Sequence, residues 1–129
     1  MAKANAQVTV TSGSPETATA TIANGASLSD SVFVDGRLSG IITPAAWTAA
    51  AITFQASVDG SSFFDVYDDA LETTAVERTI ASGNVGTSRF LALSLVDWTA
   101  VTYVKVRSGT TGTPVNQGAQ RVLTLVLAG

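Results

Sequence analysis

The sequence predicts an all-β chain, an antiparallel two-sheet β-sandwich of jelly-roll-like form with about eight strands. Three observations lead there. Apolar and polar residues alternate in short runs, each run is closed by Gly, Asn, Asp or Pro, and helical periodicity is nearly absent.

Taken in order, the first run is ATATIA (18–23), which stops at Asn24-Gly25, a pair suited to tight hairpins because both residues tolerate positive φ. SLSDSVFV (27–34) follows and ends at Asp35-Gly36, and RLSGIIT (37–43) returns. Residues 18–43 therefore read as three strands joined by two short turns. PAAWTAAA (44–51) is the one helix candidate, with Thr43 as N-cap and Pro44 at the first helical position. It is too short for a stable helix, so a single turn or an irregular crossover is expected.

ITFQASV (52–58) places Ile52, Phe54, Ala56 and Val58 on a core face, with Thr53, Gln55 and Ser57 opposite. Asp59-Gly60 carries the signal of a two-residue hairpin turn into FFDVYD (63–68), where only one of Phe63 and Phe64 can point inward. TAVERTI (74–80), RFLALSL (89–95), TYVKVRS (102–108) and QRVLTLVLA (120–128) supply the later strands. In TYVKVRS, Val104 and Val106 share one face and Tyr103, Lys105 and Arg107 the other. Both tryptophans stand in Trp-Thr-Ala, Trp47 and Trp98, each just ahead of an alternating strand. Each is read as a plug closing an end of the sandwich, with exposure for sugar stacking as the alternative.

The expected organisation is an N-terminal extension or arm over 1–16 and a single β-sandwich domain over 17–129. MAKANAQVTVTSGSPE is poor in large apolar residues and ends in a linker-like Ser-Gly-Ser-Pro. Its QVTVT, with Val8 and Val10, either adds as a strand to a neighbour's sheet edge or frays.

Composition narrows the function. Charged residues make up 13% of the chain, about half the usual share, and a charge-poor surface desolvates cheaply on assembly. A net charge of -3 with scattered Arg and Lys argues against nucleic acid. No apolar stretch approaches a membrane span, and the N-terminus lacks the apolar core of a signal peptide, so neither a membrane nor Sec-type export is expected. The absence of cysteine leaves the redox compartment open.

With no histidine and no cysteine, the Ser-His-Asp and Cys-His nucleophilic systems and the usual zinc, copper and haem ligand sets are ruled out. The dense carboxylate cluster is Asp59, Asp65, Asp68 and Asp69. It shows neither a glycosidase pair across a cleft nor the alternating Asp of an EF-hand loop. SGTTGTP (108–114) lacks the Gly-Lys-Ser/Thr of a phosphate loop. The expectation is a protein that is not an enzyme and has no catalytic residue, cofactor or metal.

The stretches ATATIANGASLSDSVFVDGRLSGIITPAAWTAAAITFQASVDGSSF and YVKVRSGTTGTPVNQGAQRVLTLVLAG resemble small virion proteins of tailed bacteriophages, over roughly residues 17–127. The resemblance implies a capsid decoration, or cement, protein that binds the outer shell as an oligomer and stabilises it. Its implied partners are the major capsid protein and further copies of itself, with a homotrimer favoured. Its implied place is the capsid exterior of the virion, after synthesis in the host cytoplasm. Candidate interface residues are Val8, Val10, Trp47, Phe64 and Trp98. A shorter similarity links FQASVDGSSFFDV and YVKVRS to galactose-binding-like jelly rolls, which keeps open the alternative of a carbohydrate-binding module or a tail or neck component mediating host attachment.

Overall fold

A computed structural model describes residues 14–68 and 74–129. The strands, in chain order, are β1 Glu16–Ile22, β2 Val32–Phe33, β3 Leu38–Ile42, β4 Ile52–Ser57, β5 Phe64–Asp65, β6 Phe90–Ala92, β7 Tyr103–Ser108 and β8 Arg121–Leu127. A one-turn helix, α1 Ser82–Val85, and a 3-10 turn at Leu95–Trp98 complete the regular structure among the described residues.

Pairing is antiparallel throughout and nested: β1 with β8, β2 with β7, β3 with β6, β4 with β5. A long hairpin rolled up on itself gives this pattern, and the roll brings β8 against β3 and β7 against β4. Two four-stranded sheets result, β1-β8-β3-β6 and β2-β7-β4-β5. This is the jelly roll, so the expected fold class holds.

The core lies between the sheets. From the first sheet, Ala20, Ile22, Leu123, Leu125 and Leu127 point inward at every second position, as strand alternation dictates. Leu38 and Ile41 are three residues apart yet both buried, because the β3–β8 register shifts between Leu38 and Gly40. From the second sheet come Val32, Ile52, Phe54, Val104 and Val106. Trp98 stands edge-on to Phe54, with ring centroids 4.9 Å apart, and is only 2% exposed. The plug reading of Trp98 is thus the one the structure supports. Burying side chains of this size contributes about 1.5–3 kcal/mol each.

Several local expectations change. Asn24-Gly25 does form a turn, closed by the Ala26 N–H donating to Ala23 O at 3.0 Å. The chain then crosses to the other sheet instead of returning as a hairpin. Asp35-Gly36 behaves alike: both residues have positive φ, 50° and 72°, and the turn links β2 to β3 in different sheets. Of the expected strand 27–34 only Val32–Phe33 is regular, with an isolated bridge at Leu28. Residues 44–51 form the irregular crossover, not a helix. Along 74–80 there are only isolated bridges, Tyr67 to Glu77 and Ile52 to Ile80.

Candidate functional site

The site grows out of the β4–β5 connection. β4 ends at Ser57 and β5 begins at Phe64, so the link is the loop 58–63 and not a two-residue hairpin turn. Asp59 organises it. Its Oδ1 accepts the N–H groups of Ser61 and Ser62, at 2.8 and 3.0 Å, and the Ser57 hydroxyl at 3.0 Å. Ser57 Oγ in turn accepts the Gly60 N–H at 2.8 Å, and Gly60 has φ +81°. These bonds, from Ser62 and then Ser61, hold the Asp59 carboxyl below its usual value of 3.8. Asp59 is a turn-forming residue whose charge is used by the backbone.

Beyond the turn the chain leaves an apolar opening. Phe64 pairs directly with Ala56, on the same face as Phe54 and Ile52, so its side chain stands on the core side of the sheet. Among the described residues nothing from the other sheet closes over it there, and it is 69% exposed. With Ala56, Val58, Val66 and Val101 it lines an open groove of about 320 Å³, with Ser57 and Asp65 the polar residues at its wall. Val58, expected in the core, lies past the end of β4 and is 74% exposed. Neither Phe63 nor Phe64 is in the core; Phe63 lies on the outer face beneath the Lys105 ammonium, 4.5 Å from its ring centroid.

The outer face of the same sheet carries an ion cluster. Arg107, on β7, has a side chain 8% exposed. Its Nη2 donates to Asp65 Oδ1 at 2.7 Å and its Nη1 to Glu77 Oε2 at 3.0 Å. Thr111 adds its hydroxyl to Asp65 at 2.9 Å and its N–H to Glu77 at 3.2 Å. Buried Thr53, cross-strand from Arg107, donates to Gly109 O at 2.7 Å. The cluster ties the segment around Glu77 and the 109–113 loop to the sheet. Arg107 is the first cause holding the Asp65 carboxyl below its usual value, the reverse of the raised pKa a general acid requires. No group of three or more Asp or Glu among the described residues is arranged to hold a metal ion.

The expected interface residues therefore scatter. Phe64 sits at the groove. Trp47 is half-buried against the core rim, its Nε1 donating to Ala50 O at 3.2 Å. Trp98 is enclosed in the core, where it offers no surface to a partner. Val8, Val10 and Asp69 lie outside the described residues. Sequence reasoning missed Val66 and Val101 as groove residues and the Arg107 cluster altogether. The available signal for the cluster was an Arg on the strand face opposite Val104 and Val106, with two acidic residues on neighbouring runs.

No family model matches the chain. No curated protein matches it either. Among solved structures, it is similar to the crystal structure of SPBc2 prophage-derived protein YomS, with a TM-score of 0.50 and 11% sequence identity. The match covers 95% of this chain and 98% of that chain, so the likeness is one of fold along nearly the whole length of both.

Proposed function

We propose that this chain is a structural protein of a tailed-phage virion, acting as a head decoration protein that binds the outer capsid and stabilises it. The observation that carries the reading is the near full-length fold likeness to a prophage-derived protein, covering 95% of this chain. The sequence resemblance to phage virion proteins and the low share of charged residues support it. So does the chemistry of the surface: the acidic side chains of Asp59 and Asp65 are engaged in holding the fold, while an apolar groove stands open at Phe64 and Val58.

On this reading the protein works by binding and not by turnover. Its partners are the major capsid protein and further copies of itself, as a trimer, on the outside of the head. A protein that binds only the assembled shell stabilises that shell by mass action. Deleting the gene, or stripping the protein from purified heads, is expected to lower the temperature at which heads release DNA, and adding it back is expected to restore it. Heads that contain no band of this size and are unaffected by the deletion would refute the proposal.

A further inference from the structure

The chain contains three Asx-Gly pairs, Asn24-Gly25, Asp35-Gly36 and Asp59-Gly60, each at a turn with glycine at positive φ. Such pairs are chemically fragile, since glycine offers no side chain to block attack by its own backbone nitrogen on the preceding side chain. In this fold each of those nitrogens donates a hydrogen bond: Gly25 to Gln117 O at 2.9 Å, Gly36 to Val101 O at 2.7 Å, and Gly60 to Ser57 Oγ at 2.8 Å. A nitrogen so engaged must lose that bond before it can attack.

The three are not equivalent. Asp35 and Asp59 are carboxylates, which expel oxide poorly, and Asp59 is further held ionised by its turn. Asn24 is an amide. It is exposed, and its side chain makes no hydrogen bond among the described residues. A Cβ on Gly25 would meet nothing within 4 Å. The space is open, and the Gln117 carbonyl is what restrains the nucleophile.

Gln117 is built as a clamp. It is 1% exposed, and its own N–H donates to Ala26 O at 2.9 Å, on the far side of the Asn24-Gly25 turn. Its side chain accepts from Thr48 N at 2.8 Å and Arg121 Nε at 3.0 Å, and donates to Thr48 O at 3.0 Å and Ser108 Oγ at 2.7 Å. The backbone carbonyl holding Gly25 is therefore fixed by four side-chain bonds to three other elements.

We propose that Asn24-Gly25 is a self-modification site kept latent by Gln117, and that release of the 115–120 loop opens it to succinimide formation. In the reaction the Gly25 nitrogen gives its proton to solvent base and forms a bond to Asn24 Cγ. The Cγ–Nδ2 bond breaks, and the nitrogen leaves as ammonia with a proton from solvent. Water then opens the ring at either carbonyl, giving aspartate or isoaspartate. The net change is one amide and one water to one carboxylic acid and ammonia. It adds a negative charge, and in the isoaspartyl product an extra backbone carbon, to the turn that takes the chain between sheets.

The test is peptide-level mass spectrometry of the full chain aged in mildly alkaline buffer, folded and in urea. Conversion at Asn24 is expected to be at least about tenfold slower in the folded protein, the protection of a site that reacts only when locally opened. Gln117→Ala is expected to melt cooperatively but at a lower temperature, having lost four side-chain hydrogen bonds, and at temperatures where it stays folded to raise conversion at Asn24 while leaving Asp35 and Asp59 unchanged. Equal rates in the folded and unfolded parent would overturn the proposal. Should the variant fail to fold, hydrogen exchange at the Gly25 amide of the parent decides: slow exchange is expected, and exchange at the rate of an open peptide overturns it.

Discussion

At the scale of single residues, two glycines in similar turns separate conformational strain from lack of space. Gly25 has φ +79° and open surroundings; Gly36 has φ +72°, and a Cβ there would lie 2.6 Å from the Thr99 carbonyl oxygen. Gly25→Ala therefore meets only the left-handed backbone penalty, about 1 kcal/mol, whereas Gly36→Ala adds an overlap with fixed backbone and is expected to cost about 2–4 kcal/mol. Urea denaturation of the two variants checks the contrast, and equal losses would contradict the crowding at Thr99. The turn at Gly36 was legible because Asp-Gly announces positive φ locally. Gly40 was not: the far end of the Phe90 ring, itself 58% exposed, lies 2.7 Å from where a Cβ would stand and would have to swing aside, a contact made across two strands far apart in sequence.

At the scale of elements, the outer face of the β2-β7-β4-β5 sheet depends on Arg107 facing Asp65 and Glu77. Removing the guanidinium leaves two carboxylates unpaired, one of them almost enclosed and Asp65 partly screened by water. Arg107→Met is expected to cost about 3 kcal/mol, the low end of the range for breaking a buried pair, because Asp65 keeps part of its hydration. Converting Asp65 and Glu77 to Asn and Gln in the same chain should recover part of that loss, which a double-mutant cycle measures. Asp65 gives the cluster its share of the pH dependence, beside that of the Asp59 turn. The Asp65 carboxyl titrates below the usual 3.8 when folded, so the unfolded chain binds the proton first as pH falls. The stabilisation is present above about pH 4, and is lost as pH falls from the usual carboxylate value through the folded one. Thermal melts between neutral pH and pH 3 should show this decline, and a shallower one in Arg107→Met. Alternation disclosed β1, β4, β7 and β8, because each has one face on the core and one outside. It overstated 27–34 and 74–80, where polar and apolar residues alternate to serve isolated bridges and the Arg107 cluster instead of a continuous ladder.

At the scale of the molecule, rolling a nested hairpin into two sheets makes most contacts distant in sequence and leaves the sandwich with an uncovered opening beside β5. Strand alternation reports which side of its sheet a residue occupies, not whether the opposite sheet extends over it. Phe64 is the case in point. Pairing with Ala56 puts it on the core side, yet the roll leaves it exposed, so the groove belonged to tertiary geometry and was hidden from the sequence. That separation of side from cover makes docking testable apart from folding. A residue already in water loses little when changed, so Phe64→Asp with Val58→Asp should alter monomer stability by no more than about 1 kcal/mol. A buried contact tolerates the same change poorly, because an unpaired carboxylate taken out of water costs several kcal/mol. If the proposed decoration role holds, heads stripped of the protein and mixed with the doubly substituted chain should therefore fail to recover their heat resistance, whereas the parent chain is expected to restore it. Full recovery with a variant that melts like the parent would show that the groove faces solvent on the particle, and that the capsid is held by another surface.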